Sequence, residues 1–266
     1  MKKILFLIIT ILITTCLAGC NHSNGTDRTD CHISLPQPGA AFMPQDSIVV
    51  NAEVPDGTAK VRFYLDSAGL AEVTGFPYKV VIAPRTQKVG RHTLVAIAEN
   101  SKGEKVSDTT FFFIGIGVER DGGIIFDLDS TGEHGLIAAK EDLPGTYPWE
   151  TSGVFIGATD PDNGAANTEM IMAYKEKTSK AVKACANYKA TVGGTQYTGW
   201  YMPATNELVK MYENLYLNHI GNFGAKFYWA STEMRKYDSY TVFFYDGAVA
   251  RKNKYVSCSV RPIKAF

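Results

Sequence analysis

The 266-residue chain has no excess of charge of either sign: 27 Lys and Arg face 27 Asp and Glu. A general nucleic-acid binder gains its affinity from a broad positive field, so that class is excluded, although a local basic patch is not. Histidine is scarce and scattered, at positions 22, 32, 92, 134 and 219, and no His-x-x-x-His, Cys-x-x-Cys or Gly-x-Ser-x-Gly spacing occurs. No metal centre, dithiol redox site or serine nucleophile is therefore indicated, and no cofactor is expected. What is present is apolar content of 45% and aromatic content of 12%, enough for a sizeable core in one or two domains.

The one long apolar run stands at the N-terminus. Lys2 and Lys3 precede the apolar Ile4–Leu12, and the run closes on Leu17-Ala18-Gly19-Cys20. This is the order of a targeting segment, too short for a comfortable stop-transfer helix. Its ending resembles the lipobox of bacterial lipoproteins, which implies cleavage before Cys20, acylation of that residue and anchoring to a lipid bilayer through it. The resemblance places the chain in a cell envelope, with the outer membrane of a Gram-negative bacterium as the expected site. Cleavage would leave 247 residues with 25 basic and 27 acidic side chains. Residues 20–32 are polar and read as a flexible tether. Cys31, Cys185 and Cys258 remain for redox chemistry, and an envelope permits disulfides. Cys185 and Cys258 are the preferred pair because both fall in one expected domain, with three reduced, buried thiols as the alternative.

From Ile33 to about residue 115, short runs of strand character alternate with turn signals: Ser47–Val54, Lys60–Asp66, Tyr78–Ala83, His92–Glu99 and Val106–Ile114. In the second run Val61, Phe63 and Leu65 alternate with Lys60, Arg62 and Tyr64, the period of a half-buried strand. An all-β sandwich is expected. Val61-x-Phe63-Tyr64-x-Asp66, Pro77-Tyr78 and the stretch Gly90–Gly103 resemble bacterial immunoglobulin-like domains, which implies a spacer or adhesive stalk without catalytic residues.

Gly115-Ile116-Gly117 reads as a hinge, after which residues 118–266 mix strands with helices. Gly122–Leu128 and Gly135–Ala139 read as strands. A long helix is expected from an Asn167 cap through Cys185, with Lys175, Glu176, Lys177, Lys180 and Lys183 on its solvated face, and a second over Asn206–Leu217. Four strand-like runs follow, Tyr228–Ser231, Tyr240–Tyr245, Ala248–Arg251 and Ser257–Ile263, giving an α+β domain. Six ordered blocks lie here: Asn167-Thr168, Ala184–Tyr188, Gly199–Pro203 with Glu207-Leu208, Met211–Asn214, Tyr228–Glu233 and Val260–Phe266. Together they resemble the Lcl C-terminal domain family, a domain of unknown function with a C-type-lectin-like architecture. That resemblance implies an envelope lipoprotein whose C-terminal domain binds sulfated polysaccharide. The chain departs from the pattern at Ala204, where a serine helix cap is usual and Thr205 is left to cap, and at Ala230.

The charged residues in or near these blocks are Glu207, Glu233, Asp246 and Arg261. Paired carboxylates are what glycoside hydrolysis requires, yet the placement favours a structural role, with Glu207 capping a helix and Glu233 paired with Arg261. Trp200 and Trp229 are either core or sugar-stacking rings. Asp160–Gly164 has the donors of half a calcium loop without the later bidentate Glu. Residues 224–266 carry eight basic and three acidic side chains. Arg235, Lys236, Arg251, Lys252 and Lys254, with Tyr237, Tyr240 and Tyr255 interleaved, form the expected binding patch for an anionic polysaccharide or surface glycan. The expected function is non-enzymatic glycan or polyanion binding from the envelope. A structural module that binds an envelope protein partner is the alternative, and a glycan-cleaving enzyme using Glu207 and Glu233 a further one.

Overall fold

A computed structural model describes residues 28–83, 85–129, 131–151, 153–174 and 179–266. The expected targeting segment, Cys20 and most of the expected tether lie outside them, as do Lys175, Glu176 and Lys177. No helix among the described residues is long and apolar enough to cross a membrane.

The first module is a two-sheet sandwich. Its strands are β1 (His32–Leu35), β2 (Ala40–Phe42), β3 (Ile48–Glu53), β4 (Thr58–Leu65), β5 (Ala68–Val73), β6 (Lys79–Ile82), β7 (Gly90–Asn100) and β8 (Lys105–Ile114). One sheet has the order β1-β3-β6 and the other β2-β8-β7-β4-β5, with β2 parallel to β8. The period-two reading of β4 holds: Val61, Phe63 and Leu65 are buried with Leu94, Ala96 and Ala98 of β7 and with Val50 and Ala52 across the sandwich. Each large side chain buried in this way contributes about 1.5–3 kcal/mol. The short strands β1, β2 and β5 are not marked in the sequence, because three to six residues with mixed burial give no clear alternation.

The second part begins with β9 (Glu119–Arg120), β10 (Gly123–Leu128), β11 (Gly135–Ala139) and β12 (Tyr147–Pro148). Next come α1 (Gly164–Ala173), α2 (Lys180–Ala186), β13 (Ala190–Val192), β14 (Thr195–Tyr197) and α3 (Thr205–Asn214). It closes with β15 (Phe227–Arg235), β16 (Asp238–Phe243), β17 (Ala248–Asn253), β18 (Ser257–Cys258) and β19 (Ile263–Ala265). β19 pairs with β11, tying the end of the chain to its sheet. The antiparallel sheet β15-β16-β17 packs Tyr228 and Val242, with Phe244 just beyond β16, against Leu208 and Met211 of α3. Trp229 joins Trp149, Val182, Met202 and Val260 in another cluster.

The helical reading is corrected in three places. The first helix starts at Gly164, and Asn163 caps it by accepting from Ala166 N–H. Asn167 ties down a loop instead, its amide bonding both N–H and C=O of Asp160. The expected single long helix is two helices, the second capped by Ser179, and Lys180 and Lys183 are exposed on it. Thr205 does not cap α3: its hydroxyl is buried without a partner, and only Glu207 supplies half of a capping box.

Gly115–Gly117 is a packed corner and not a hinge. Gly115 N–H donates to Phe42, Gly117 N–H donates to Ile125, and Ile116 is buried with Phe113 among residues of the second part. Cys185 and Cys258 are not bonded; with Cys31 they are three buried free thiols. Burial of these small apolar side chains pushes the Cys31 and Cys258 thiols up to about 11, and the Cys185 thiol up as well.

Candidate functional site

Between β12 and α1 the described residues 149–151 and 153–163 are irregular backbone, which needs partners for its N–H and C=O groups. The motif residues supply them. Trp149 Nε1 donates to Ala230 C=O, and Trp229 Nε1 to Tyr147 C=O. Thr232 donates to Asp160 C=O, and Glu233 N–H donates to Ala158 C=O. The Glu233 carboxylate accepts from Ile156 N–H at 2.8 Å and Gly157 N–H at 2.6 Å. Its other oxygen meets Lys254 Nζ, which also donates to Val154 C=O and lies over the Trp149 ring. Both members of this ion pair are fully buried. Glu150, also buried, accepts from Gly153 N–H.

This arrangement corrects several expectations. Lys254 cannot join a surface patch, because its ammonium is enclosed by the loop it holds. Glu233 pairs with Lys254 and not with Arg261. Arg261 is buried too, bonding Asp142, Ala139 C=O, Gly221 C=O and Asn222 C=O while stacking on Phe223. Trp200 and Trp229 are core residues at 2% and 0% exposure, with no face left for a sugar. Glu207 accepts from Ala204 and Gly164 N–H groups and from the Tyr201 hydroxyl, and burial, partly offset by these bonds, holds its carboxyl above the ordinary range. With Glu207 and Glu233 both spent on backbone N–H groups, the pair does not form a hydrolytic site. Asp160 accepts from Asp162 and Asn163 N–H groups and Asp162 from Asn206, so these oxygens hold turns. No cluster of three or more His, Cys, Asp or Glu suited to a metal occurs among the described residues.

The basic excess also shrinks in three dimensions. Four of the eight cations of residues 224–266 are in ion pairs: Lys226 and Arg261 with Asp142, Arg235 with Asp238, and Lys254 with Glu233. Arg251 and Lys252 are successive residues of β17 and point to opposite faces of its sheet. Arg251 is exposed opposite Tyr240, whereas Lys252 lies 3.7 Å over the Phe227 ring.

What remains together is the loop end of the sheet. Tyr237 and Tyr255, about half exposed, close over Gly153: a Cβ there would sit 2.6 Å from the Tyr255 hydroxyl and 2.8 Å from Tyr237 Cε1. Gly153 also has φ +64°, so glycine is required twice over. Lys236 Nζ lies 5.0 Å from the Tyr237 ring centre, and Phe155, two residues along the pinned loop from Gly153, is exposed. Lys254 N–H bonds Tyr237 C=O, which joins this surface to the buried ion pair beneath it. Phe155 is the residue that sequence reading left out of the patch, because nothing in its neighbours marks it; Tyr237 and Tyr255, read there as interleaved with the basic residues, do meet.

No curated protein matches the chain. Among solved structures, it is similar to the Clostridium thermocellum CbhA fibronectin(III)-like modules, at 26% identity over 32% of this chain and 93% of that one, with a TM-score of 0.30. It is also similar to Bacteroides ovatus SGBP-B of a mixed-linkage glucan utilization locus, at 14% identity over 89% of this chain and 48% of that one, with a TM-score of 0.24. Yersinia pseudotuberculosis adhesin InvE aligns at 14% identity over 89% of this chain and 70% of that one, with a TM-score of 0.23. TM-scores this low leave the functional reading to the side chains. Residues 30–96, the greater part of the first sandwich, match the family model of the bacterial Ig domain.

Proposed function

We propose that this protein is a non-enzymatic lipoprotein of the cell envelope, anchored through acylated Cys20, whose C-terminal, Lcl-like domain binds anionic glycan. The Ig module holds that domain away from the lipid surface. The observation that carries the reading is the convergence of Tyr237 and Tyr255 on Gly153, with Lys236 beside the Tyr237 ring, above a loop fixed by the buried Glu233–Lys254 pair. Flat rings give contact area at small entropic cost, and an ammonium without a carboxylate partner among the described residues gives attraction to sulfate or uronate.

The test is retention on immobilised heparin across a salt gradient. Tyr237→Ala and Tyr255→Ala each remove about 1 kcal/mol of contact, roughly a fivefold loss of affinity. Lys236→Ala lowers the salt dependence. Unchanged retention in all three variants sinks the assignment of the site. Release from membranes unaltered by Cys20→Ala sinks the anchor.

A further inference from the structure

A cleft of about 890 Å³ lies in the first sandwich, at the end where the tether enters, and the glycan-binding surface proposed above does not use it. Its volume falls in the range of roughly 300–1,000 Å³ typical of small-ligand sites. Phe76 stands in its lining at 81% exposure, the most exposed large apolar side chain among the described residues. On a turn beside the cleft, this ring has a face open to stack on a bound ligand. The floor beneath is rigid. Tyr78 is buried and donates its hydroxyl to Thr58 C=O at 2.6 Å, and Ala52 N–H bonds Tyr78 C=O at 3.0 Å.

The charged side chains lining the cleft are Arg28, Glu53, Asp56 and Lys79, two of each sign. Arg28 Nη2 donates to Glu53 Oε2 at 2.7 Å and its Nη1 lies 3.8 Å from Asp30 Oδ1, which leaves the other Glu53 oxygen and further guanidinium N–H groups for a ligand. A polyanion gains no net attraction from such a lining, and neither does a polycation. A neutral ligand with one apolar face and many hydroxyls suits it: the C–H face of a pyranose lies on Phe76, and vicinal hydroxyls exchange paired hydrogen bonds with the carboxylates and the guanidinium.

We propose that this cleft is a separate binding site for a neutral oligosaccharide. It does not depend on the C-terminal site, and the two are distinguishable by charge. The experiment is calorimetric titration of the full chain with neutral gluco-, manno-, galacto- and N-acetylglucosamine hexasaccharides, with heparin retention measured in parallel. At least one neutral hexasaccharide binds, Phe76→Ala weakens it tenfold or more, and Asp56→Ala weakens it severalfold, while heparin retention is unchanged in both. Tyr237→Ala and Tyr255→Ala leave the neutral titration as it is. Phe76 is too exposed for its truncation to unfold the sandwich, and an unchanged circular dichroism spectrum checks this. Absence of binding by every neutral hexasaccharide, or equal binding by Phe76→Ala, overturns the proposal. Loss of heparin binding with the neutral titration intact removes the C-terminal reading and supports this one.

Discussion

Glu207 lies at the start of α3 with both oxygens occupied, one by two backbone N–H groups and the other by the Tyr201 hydroxyl. Glu207→Ala strands three buried donors and costs about 2–4 kcal/mol in urea unfolding, whereas Glu207→Gln keeps an acceptor for the backbone pair and costs far less. The carboxyl is raised chiefly by burial. Between its unfolded and folded pKa the native state holds a proton that the unfolded state has released, so this contribution falls as pH rises through that window. Asp66 has the opposite sign. Its partial burial works against ionisation, but Thr93 N–H and His92 outweigh it and hold the carboxyl below the ordinary range. Its contribution is present above the unfolded pKa and is lost as pH falls through the folded one. Unfolding free energy measured against pH therefore loses part of its acid-side decline in Asp66→Asn, and Glu207→Gln removes a decline on the rising side. The three thiols make a further check: in unreduced protein, alkylation of Cys31, Cys185 and Cys258 is slow when native and complete on unfolding.

At the scale of elements, the irregular backbone of residues 149–151 and 153–163 has no ladder of its own and depends on side chains of β15 and on Lys254, just beyond β17. The buried Glu233–Lys254 pair is the centre of that support. Lys254→Met leaves a carboxylate buried without its cation and destabilises by about 3–5 kcal/mol. Glu233→Gln combined with Lys254→Met removes both charges while keeping an acceptor for Ile156 and Gly157, and thermal unfolding recovers much of the loss. If the double variant is no more stable than Lys254→Met, the pair is not the centre of the support. Strand alternation was legible in the sequence because it is local, as β4 and β7 demonstrate. The same alternation disperses a run of basic residues, sending Arg251 and Lys252 to opposite faces of β17 while Lys254, just beyond its end, turns inside.

At the scale of the molecule, the outer face of β8 belongs to the second part. Phe113 and Ile116 are buried with Ile124, Phe126, Tyr201 and Leu215, and Phe111 packs at the margin. Arg85 donates to Thr131 C=O across the same junction. Phe113→Asp places a charge in this apolar contact, and calorimetry of the variant resolves two unfolding transitions where the parent has one.

By itself the sequence determined the all-β grammar of the first module, the mixture of helix and strand in the second and the order of the motif blocks. All of these are written in neighbouring residues, whose spacing alone sets which side chains share a face. Tertiary structure alone decided which charges meet solvent, because partners come from far along the chain: Arg261 finds Asp142, 119 residues away, and Glu233 takes Ile156 and Gly157. A charge is displayed or spent according to what folds against it. Four of the eight C-terminal cations were thereby paired, Lys254 and Arg261 of them inside, and the aromatic loop end beside Gly153 emerged only when three separated segments closed on one another.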